Sequence, residues 1–147
     1  MSITIRVYGL IIDEGKILLT DEYRMGMKMS KFPGGGMEEG EGILDCLKRE
    51  IYEELGHEII ESRHFYTTDF YQKSIFHSND LQVINVYYVI SIGKPFKFQT
   101  TTKRFDFEEL KDGIQTFRWK EITNLTEDDL DLPIDQFLVN SIKAKFL

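Results

Sequence analysis

The sequence holds one cysteine, Cys46, among 147 residues. A lone thiol cannot close an internal disulfide, and such sparing use of cysteine fits a reducing compartment, so a cytoplasmic location is expected. Long apolar runs are also missing. The longest, Ile84 to Ile92, is interrupted by Asn85 and falls well short of the roughly 20 residues that a membrane-spanning helix needs. The opening Met1-Ser2-Ile3-Thr4-Ile5-Arg6 lacks the basic-then-apolar pattern of a secretory leader, and none is expected. Basic residues are in the minority, 18 against 25 acidic, for a net charge of −7. This balance argues against non-specific nucleic-acid binding and against an anionic membrane surface. It also makes a bare anionic ligand unwelcome unless a cation neutralises it. There are no repeats, no low-complexity tract and no linker rich in Pro, Gly or Ser. A chain of this length suits a single domain, residues 1–147, with a core of its own.

What the chain does have is concentrated in residues 35–57, GGMEEGEGILDCLKREIYEELGH. Leu44, Leu47, Ile51 and Leu55 recur at helical spacing as one apolar stripe. Glu38, Glu39 and Glu41 precede or open that helix, where negative charge is favoured. Gly56 follows the last stripe residue, as a left-handed cap would. Glu50, Glu53 and Glu54 lie three and four positions apart and so share one flank of the stripe. Like charges gathered this way repel, and a helix gains no stability from them. A hard divalent cation supplies a reason for the cluster, because magnesium takes oxygen ligands from a few carboxylates, waters and substrate phosphates.

Around this helix the pattern is mostly extended. Residues 3–12 read as a strand, 13–16 as a turn and 17–20 as the returning strand. Residues 21–31 are polar and read as a surface loop. An extended stretch over 58–72 with a break near Ser62-Arg63 is expected, then a strong strand over 82–93. A long polar connection over 94–113, with a short strand around 102–107, leads to a strand over 115–120. Pro133 opens a last helix whose apolar face is Phe137, Leu138, Ile142 and Phe146.

The spacing G-x5-E-x7-R-E-apolar-x-E-E-x-G, carried by Gly35, Glu41, Arg49, Glu50, Ile51, Glu53, Glu54 and Gly56, resembles the Nudix box of the Nudix hydrolases. Phe32-Pro33-Gly34-Gly35 is similar to the family's usual approach to the box. The match departs at His57, where the family has an aliphatic residue. That departure bears on packing, and Ile59 and Ile60 lie close enough to anchor the helix end instead. The resemblance implies an α+β fold of α/β/α sandwich type, a mixed β-sheet between helices. It implies Mg²⁺-dependent hydrolysis, with Mn²⁺ able to substitute, of a phosphoanhydride in a nucleoside diphosphate linked to another moiety. Glu50, Glu53 and Glu54 would hold the metal with the Gly35 carbonyl, and Glu50 or Glu53 would take the proton of the attacking water. Arg49 would orient the carboxylates, with Glu41 supporting it from the helix start. The alternative is a non-catalytic Nudix module that senses a nucleotide, although the box here is intact.

Other residues give weaker signals. Glu108, Glu109 and Asp112 are the acids near the late strand from which a further metal ligand would come, and the sequence does not choose among them. Cys46 falls on the carboxylate side of the helix, where the family has a small residue, so close packing is expected rather than thiol chemistry. Arg6, Lys28, Lys31, Phe32 and Tyr71 are candidate substrate contacts, and His64 and His77 have no ligand-like partner spacing. The aromatic segment from Phe65 to Phe76 would serve a core, a substrate pocket or a homodimer interface. No marker identifies a subfamily or its nucleotide substrate.

Overall fold

The computed structural model describes residues 2–75 and 80–147. Among the described residues the chain is α+β, with seven strands in mixed parallel and antiparallel pairing and two α-helices. It divides into two compact units, residues 1–11 with 33–97 and residues 12–32 with 98–147. The long first strand, β1 (Ser2–Asp13), passes from one to the other.

In the first unit β1 pairs in parallel with β6 (Leu81–Ile92) over ten registered residues, Ser2↔Leu81 through Ile11↔Ile90. The antiparallel β5 (Ile59–Thr67) lies on the other side of β6, with register shifts at Ile59/Glu61 and His64/Tyr66. Residues 62–63, the expected break, are regular strand, and the irregularities flank them. The three-residue β4 (Gly34–Gly36) pairs antiparallel with β1 through Tyr8↔Gly34, Val7↔Gly35 and Arg6↔Gly36. Helix α1 (Ile43–Leu55) follows and buries Cys46, Leu47, Ile51 and Leu55. The expected stripe is therefore displaced at its start: Leu44 is 39% exposed and Cys46 is fully buried in its stead. Gly9 explains how closely the helix lies on β1. A Cβ there would come within 2.6 Å of the Ile90 side chain and 3.5 Å of Ile51.

In the second unit β2 (Lys16–Arg24) is the central strand, between β3 (Met27–Lys31) and β7 (Gln115–Glu121), both antiparallel to it. Residues 21–31, expected as an irregular loop, are thus a β-hairpin. Asp21, Glu22 and Ser30 are polar yet buried and paired rather than solvated. Asp21 is fully buried and takes two hydrogen bonds from Arg118, Nε at 2.6 Å and Nη2 at 3.0 Å. Ser30 donates to the same carboxylate at 2.7 Å. Residues 94–113 carry no strand, so the short one expected around 102–107 is absent. Two short 3₁₀ turns precede α2 (Pro133–Phe146). That helix buries Ile134, Asp135, Leu138, Val139 and Ile142, whereas Phe137, expected on the apolar face, is 53% exposed.

Removing one partner of a buried ion pair leaves the other charged and desolvated, which costs about 3–5 kcal/mol. Arg118→Ala is expected to lower the unfolding free energy by about 3 kcal/mol or more in urea titration. A loss under about 1 kcal/mol would show that Asp21 needs no cation.

Candidate functional site

The site is built on β4 and α1 of the first unit. Gly34 has φ +143°, a conformation that L side chains rarely adopt, and a Cβ there would collide with the Val7 carbonyl. Glycine therefore lets β4 lie against β1. At Gly35 a Cβ would fall 2.6–2.8 Å from the Glu50 carboxyl group. The space that a side chain would fill is occupied by a carboxylate held against the backbone. Gly56 closes α1 in the left-handed region, its N–H donating to the Tyr52 carbonyl at 2.9 Å.

Arg49 is the hub. Its Nε donates to Glu41 Oε2 at 2.6 Å and its Nη2 to Glu41 Oε1 at 2.9 Å, a two-pronged bond. Its Nη1 donates to Glu50 Oε1 at 2.9 Å and to Glu53 Oε2 at 3.3 Å. Nη2 also donates to the Gly36 carbonyl at 3.0 Å, tying the helix to β4. Glu54 reaches the same strand from the next turn, accepting the Gly34 N–H at 2.9 Å. Glu41 is fixed at its own end by the Glu38 N–H, 2.9 Å from Oε1.

These contacts set the electrostatics. The Arg49 hydrogen bonds, followed by the Glu38 N–H, lower the Glu41 carboxyl from 4.5 to about 2. Glu41 in turn raises the Arg49 guanidinium. Burial, and then the charge of Glu41, pushes the Cys46 thiol up to about 11. A thiol protonated at neutral pH is a poor nucleophile, and Cys46 packs with Sγ 3.7 Å from the Gly35 carbonyl. The close-packing reading of Cys46 fits this geometry. His57 is 5% exposed and its Nε2 accepts the Lys97 N–H at 2.9 Å. Burial and then Lys97 lower its pKa, favouring the neutral ring that this bond requires. The imidazole fills the place of the aliphatic residue itself, and Ile60, offered as a substitute anchor, is 66% exposed.

The donor chemistry fits a hard divalent cation. Glu50, Glu53, Glu54 and the Gly35 carbonyl offer only oxygen atoms, and Glu50 already lies against Gly35. Among the described residues no three carboxylate, imidazole or thiol side chains form a closed cage. Arg49 instead holds two of the glutamates in reserve beside the glycine strand.

The other candidates are more scattered. Arg6 is buried on β1, with Nε donating to Tyr8 Oη at 2.6 Å. Lys31 and Phe32, in the second unit, are almost fully buried. Lys28, Glu108 and Glu109 are exposed. Asp112 has a structural task, accepting the Met25 N–H of the β2–β3 turn at 2.8 Å. His64 bonds Thr67 Oγ1 at 2.7 Å, and Tyr71 is 59% exposed. His77 and Phe76 lie outside the described residues. The sequence reading missed Asn85, which is buried on β6 with its Oδ1 unpartnered. Its one signal was a polar residue interrupting the most apolar strand.

The NUDIX domain profile matches residues 3–138. The chain belongs to the NUDIX family. It is 35% identical over 77 residues to the 8-oxo-dGTP diphosphatase of Buchnera aphidicola, a match covering 51% of this chain and 59% of that protein. It is 36% identical over 91 residues to the RNA pyrophosphohydrolase of Bartonella bacilliformis, covering 58% and 51%. The match thus spans little more than half the length of these two relatives. Solved structures with the same fold include a MutT from work on Aliivibrio salmonicida and Vibrio cholerae, with TM-score 0.64 and 21% identity over 98% of this chain and 99% of that one. A MutT NUDIX hydrolase from Burkholderia pseudomallei has TM-score 0.68 and 17% identity over 95% and 98%. The expected Nudix fold is therefore confirmed.

Because Glu41 is depressed in the folded NUDIX domain, the sign of its linkage is fixed. Its contribution to stability is complete above pH 4.5 and is lost as pH falls from there through about 2. In Arg49→Ala the Glu41 carboxyl is expected to rise well above 2 but to stay below 4.5, because the Glu38 N–H still lowers it, read by NMR of the side-chain carboxyl carbon. A value still near 2 would assign the shift to the Glu38 N–H alone.

Proposed function

We propose that this NUDIX domain is a Mg²⁺-dependent pyrophosphohydrolase acting on a nucleoside diphosphate linked to another moiety, with Mn²⁺ able to substitute. The observation that carries the reading is the oxygen-only set of Glu50, Glu53, Glu54 and the Gly35 carbonyl beside a side-chain-free strand, with Glu50 and Glu53 held by Arg49 and Glu54 by the Gly34 N–H. The two curated relatives, one a diphosphatase and one a pyrophosphohydrolase by name, support the same class of reaction. The NUDIX profile runs across both compact units, which supports one domain over the whole chain.

In this reading Glu50, Glu53, Glu54 and the Gly35 carbonyl hold the cation. When bound, it neutralises the diphosphate and lowers the pKa of the attacking water. The protein does the rest. Arg49 orients Glu50 and Glu53 through Nη1, and Glu41 fixes Arg49 with two bonds so that the guanidinium does not drift. Glu54 is anchored on the Gly34 N–H, which sets its distance from β4. Glu53 takes the proton of the attacking water. Its side chain is 58% exposed and its contact with Arg49 is the longest of the set, so its carboxylate is the most accessible to water. Water adds to one phosphorus of the anhydride, the bond from that phosphorus to the bridging oxygen breaks, and the bridging oxygen departs on the other phosphoryl group as a phosphate monoester, or as pyrophosphate from a triphosphate.

A panel of nucleoside triphosphates, nucleotide sugars, ADP-ribose, dinucleoside polyphosphates and coenzyme A, with Mg²⁺ or Mn²⁺, tests the reading. Turnover of at least one is expected. Glu53→Gln keeps size and hydrogen bonding while removing the charge, so it is expected to lower kcat about 100-fold with an unchanged melting temperature. Absence of turnover across the panel, or near-normal turnover in Glu53→Gln, would overturn the proposal.

A further inference from the structure

The pairing of β1 with β6 sets four polar side chains on one face of the first unit. Arg6 is registered with Asn85, and Tyr8 with Tyr87. Strand residues two apart share a face, so all four stand together. Val7 and Gly9 lie on the opposite face, where Ile51 of α1 packs. The four are chemically linked. Arg6 Nε donates to Tyr8 Oη at 2.6 Å, the Tyr8 and Tyr87 rings stack with centroids 5.5 Å apart, and Asn85 Nδ2 donates to Tyr87 Oη at 3.1 Å. The row begins beside the candidate metal site. A Cβ on Gly36 would stand 3.5 Å from Arg6 Nη1, and the Gly36 carbonyl accepts from Arg49.

One atom of this row is unaccounted for. Asn85 is 3% exposed and its Oδ1 accepts no hydrogen bond. Buried amide oxygens are almost always satisfied, and each exception calls for an explanation. Flexibility does not provide one. The backbone of Asn85 is pinned on both sides by Thr68, whose Oγ1 accepts its N–H at 2.9 Å and whose N–H donates to its carbonyl at 2.9 Å. Nδ2 donates to Tyr87, which leaves Oδ1 as the acceptor of the amide without a partner. Support of this kind is what a recognition group needs.

We infer that Asn85 is a specificity-determining residue: its Oδ1 accepts a hydrogen bond from an N–H or O–H donor on the moiety that the diphosphate carries. The inference rests on the pyrophosphohydrolase reading. Arg6, between Asn85 and Gly36, aligns this contact with the diphosphate end of the substrate. A site built to pair a substrate donor rejects analogues lacking it far more strongly than an apolar pocket rejects a missing methylene, because the buried acceptor is left unsatisfied. The donor belongs either to a nucleobase, as an amino or ring N–H, or to a sugar, as a hydroxyl.

The test compares wild type with Asn85→Leu, Asn85→Ala and Asn85→Asp on GTP, ITP, ATP and a nucleotide sugar, recording KM and kcat separately with melting temperature alongside. Asn85→Leu is expected to raise KM at least tenfold for the best substrate while kcat stays within about twofold, and Asn85→Ala does the same if the leucine variant does not fold. Asn85→Asp retains an acceptor and is expected to keep KM within about threefold. Loss of the wild-type preference between GTP and ITP, or between GTP and ATP, places the donor on the base. A KM effect confined to the nucleotide sugar places it on the sugar. Unchanged KM in both apolar variants, or an Asn85→Asp as impaired as they are, overturns the inference while leaving the activity intact. A wild-type protein inactive on the whole panel overturns the activity itself, and this assignment with it.

Discussion

The guanidinium of Arg49 is the contact on which the site depends. Carboxylates at positions 41, 50, 53 and 54 bring four negative charges into one turn-and-helix segment of a chain already carrying −7. Left alone they would repel and splay into water. Arg49 meets three of them within 3.3 Å and spends its remaining reach on the Gly36 carbonyl. One planar cation with five donors thus fixes both the spacing of the acids and the distance between helix and strand. Lysine, a point charge with three donors, could not span the same set. Cys46 lies buried in the same acidic segment, where burial first and then the Glu41 charge oppose its ionisation.

Glycine is the second constraint, and it is steric. The three glycines of β4 leave room on both sides of that strand. Gly34 admits the main chain of β1, and Gly35 admits the carboxyl of Glu50. The carboxylate and a backbone carbonyl can then face the same small volume, as a hard cation requires. A side chain at Gly34 would push β4 off β1, and one at Gly35 would displace the Glu50 carboxyl from β4.

How much of this was legible in the sequence follows from the range of the interactions involved. Helix α1, its cap at Gly56 and its acidic flank are local, set by contacts three and four residues apart, and periodicity reveals them. So are β1, β6 and the start of α2 at Pro133. The hairpin over 21–31 was not legible, because Asp21 owes its burial to Arg118, 97 positions away, and a polar strand looks like a loop until its partner is known. His57 likewise became a core residue through the Lys97 N–H, 40 positions on. The displaced stripe at Leu44 and Cys46, and the exposed Phe137, reflect which neighbour each helix meets, which a helical wheel does not contain. The resemblance implies an orienting role for Arg49, and the i, i+4 spacing points to Glu53, yet that is its longest carboxylate hydrogen bond. Its tightest partner, Glu41, lies eight residues back across the turn that opens the helix.

The account therefore turns on Arg49 gathering the carboxylates for a cation rather than merely pairing with them. Titration of Mn²⁺ into wild type and Arg49→Met, followed by the electron paramagnetic resonance of the free ion, measures this directly. Loss of an orienting partner typically weakens a metal site 10- to 100-fold, roughly, and a fall of that size with unchanged helix content is what the account predicts. Equal or tighter Mn²⁺ binding in Arg49→Met would contradict it, since the glutamates would then assemble the site without the arginine.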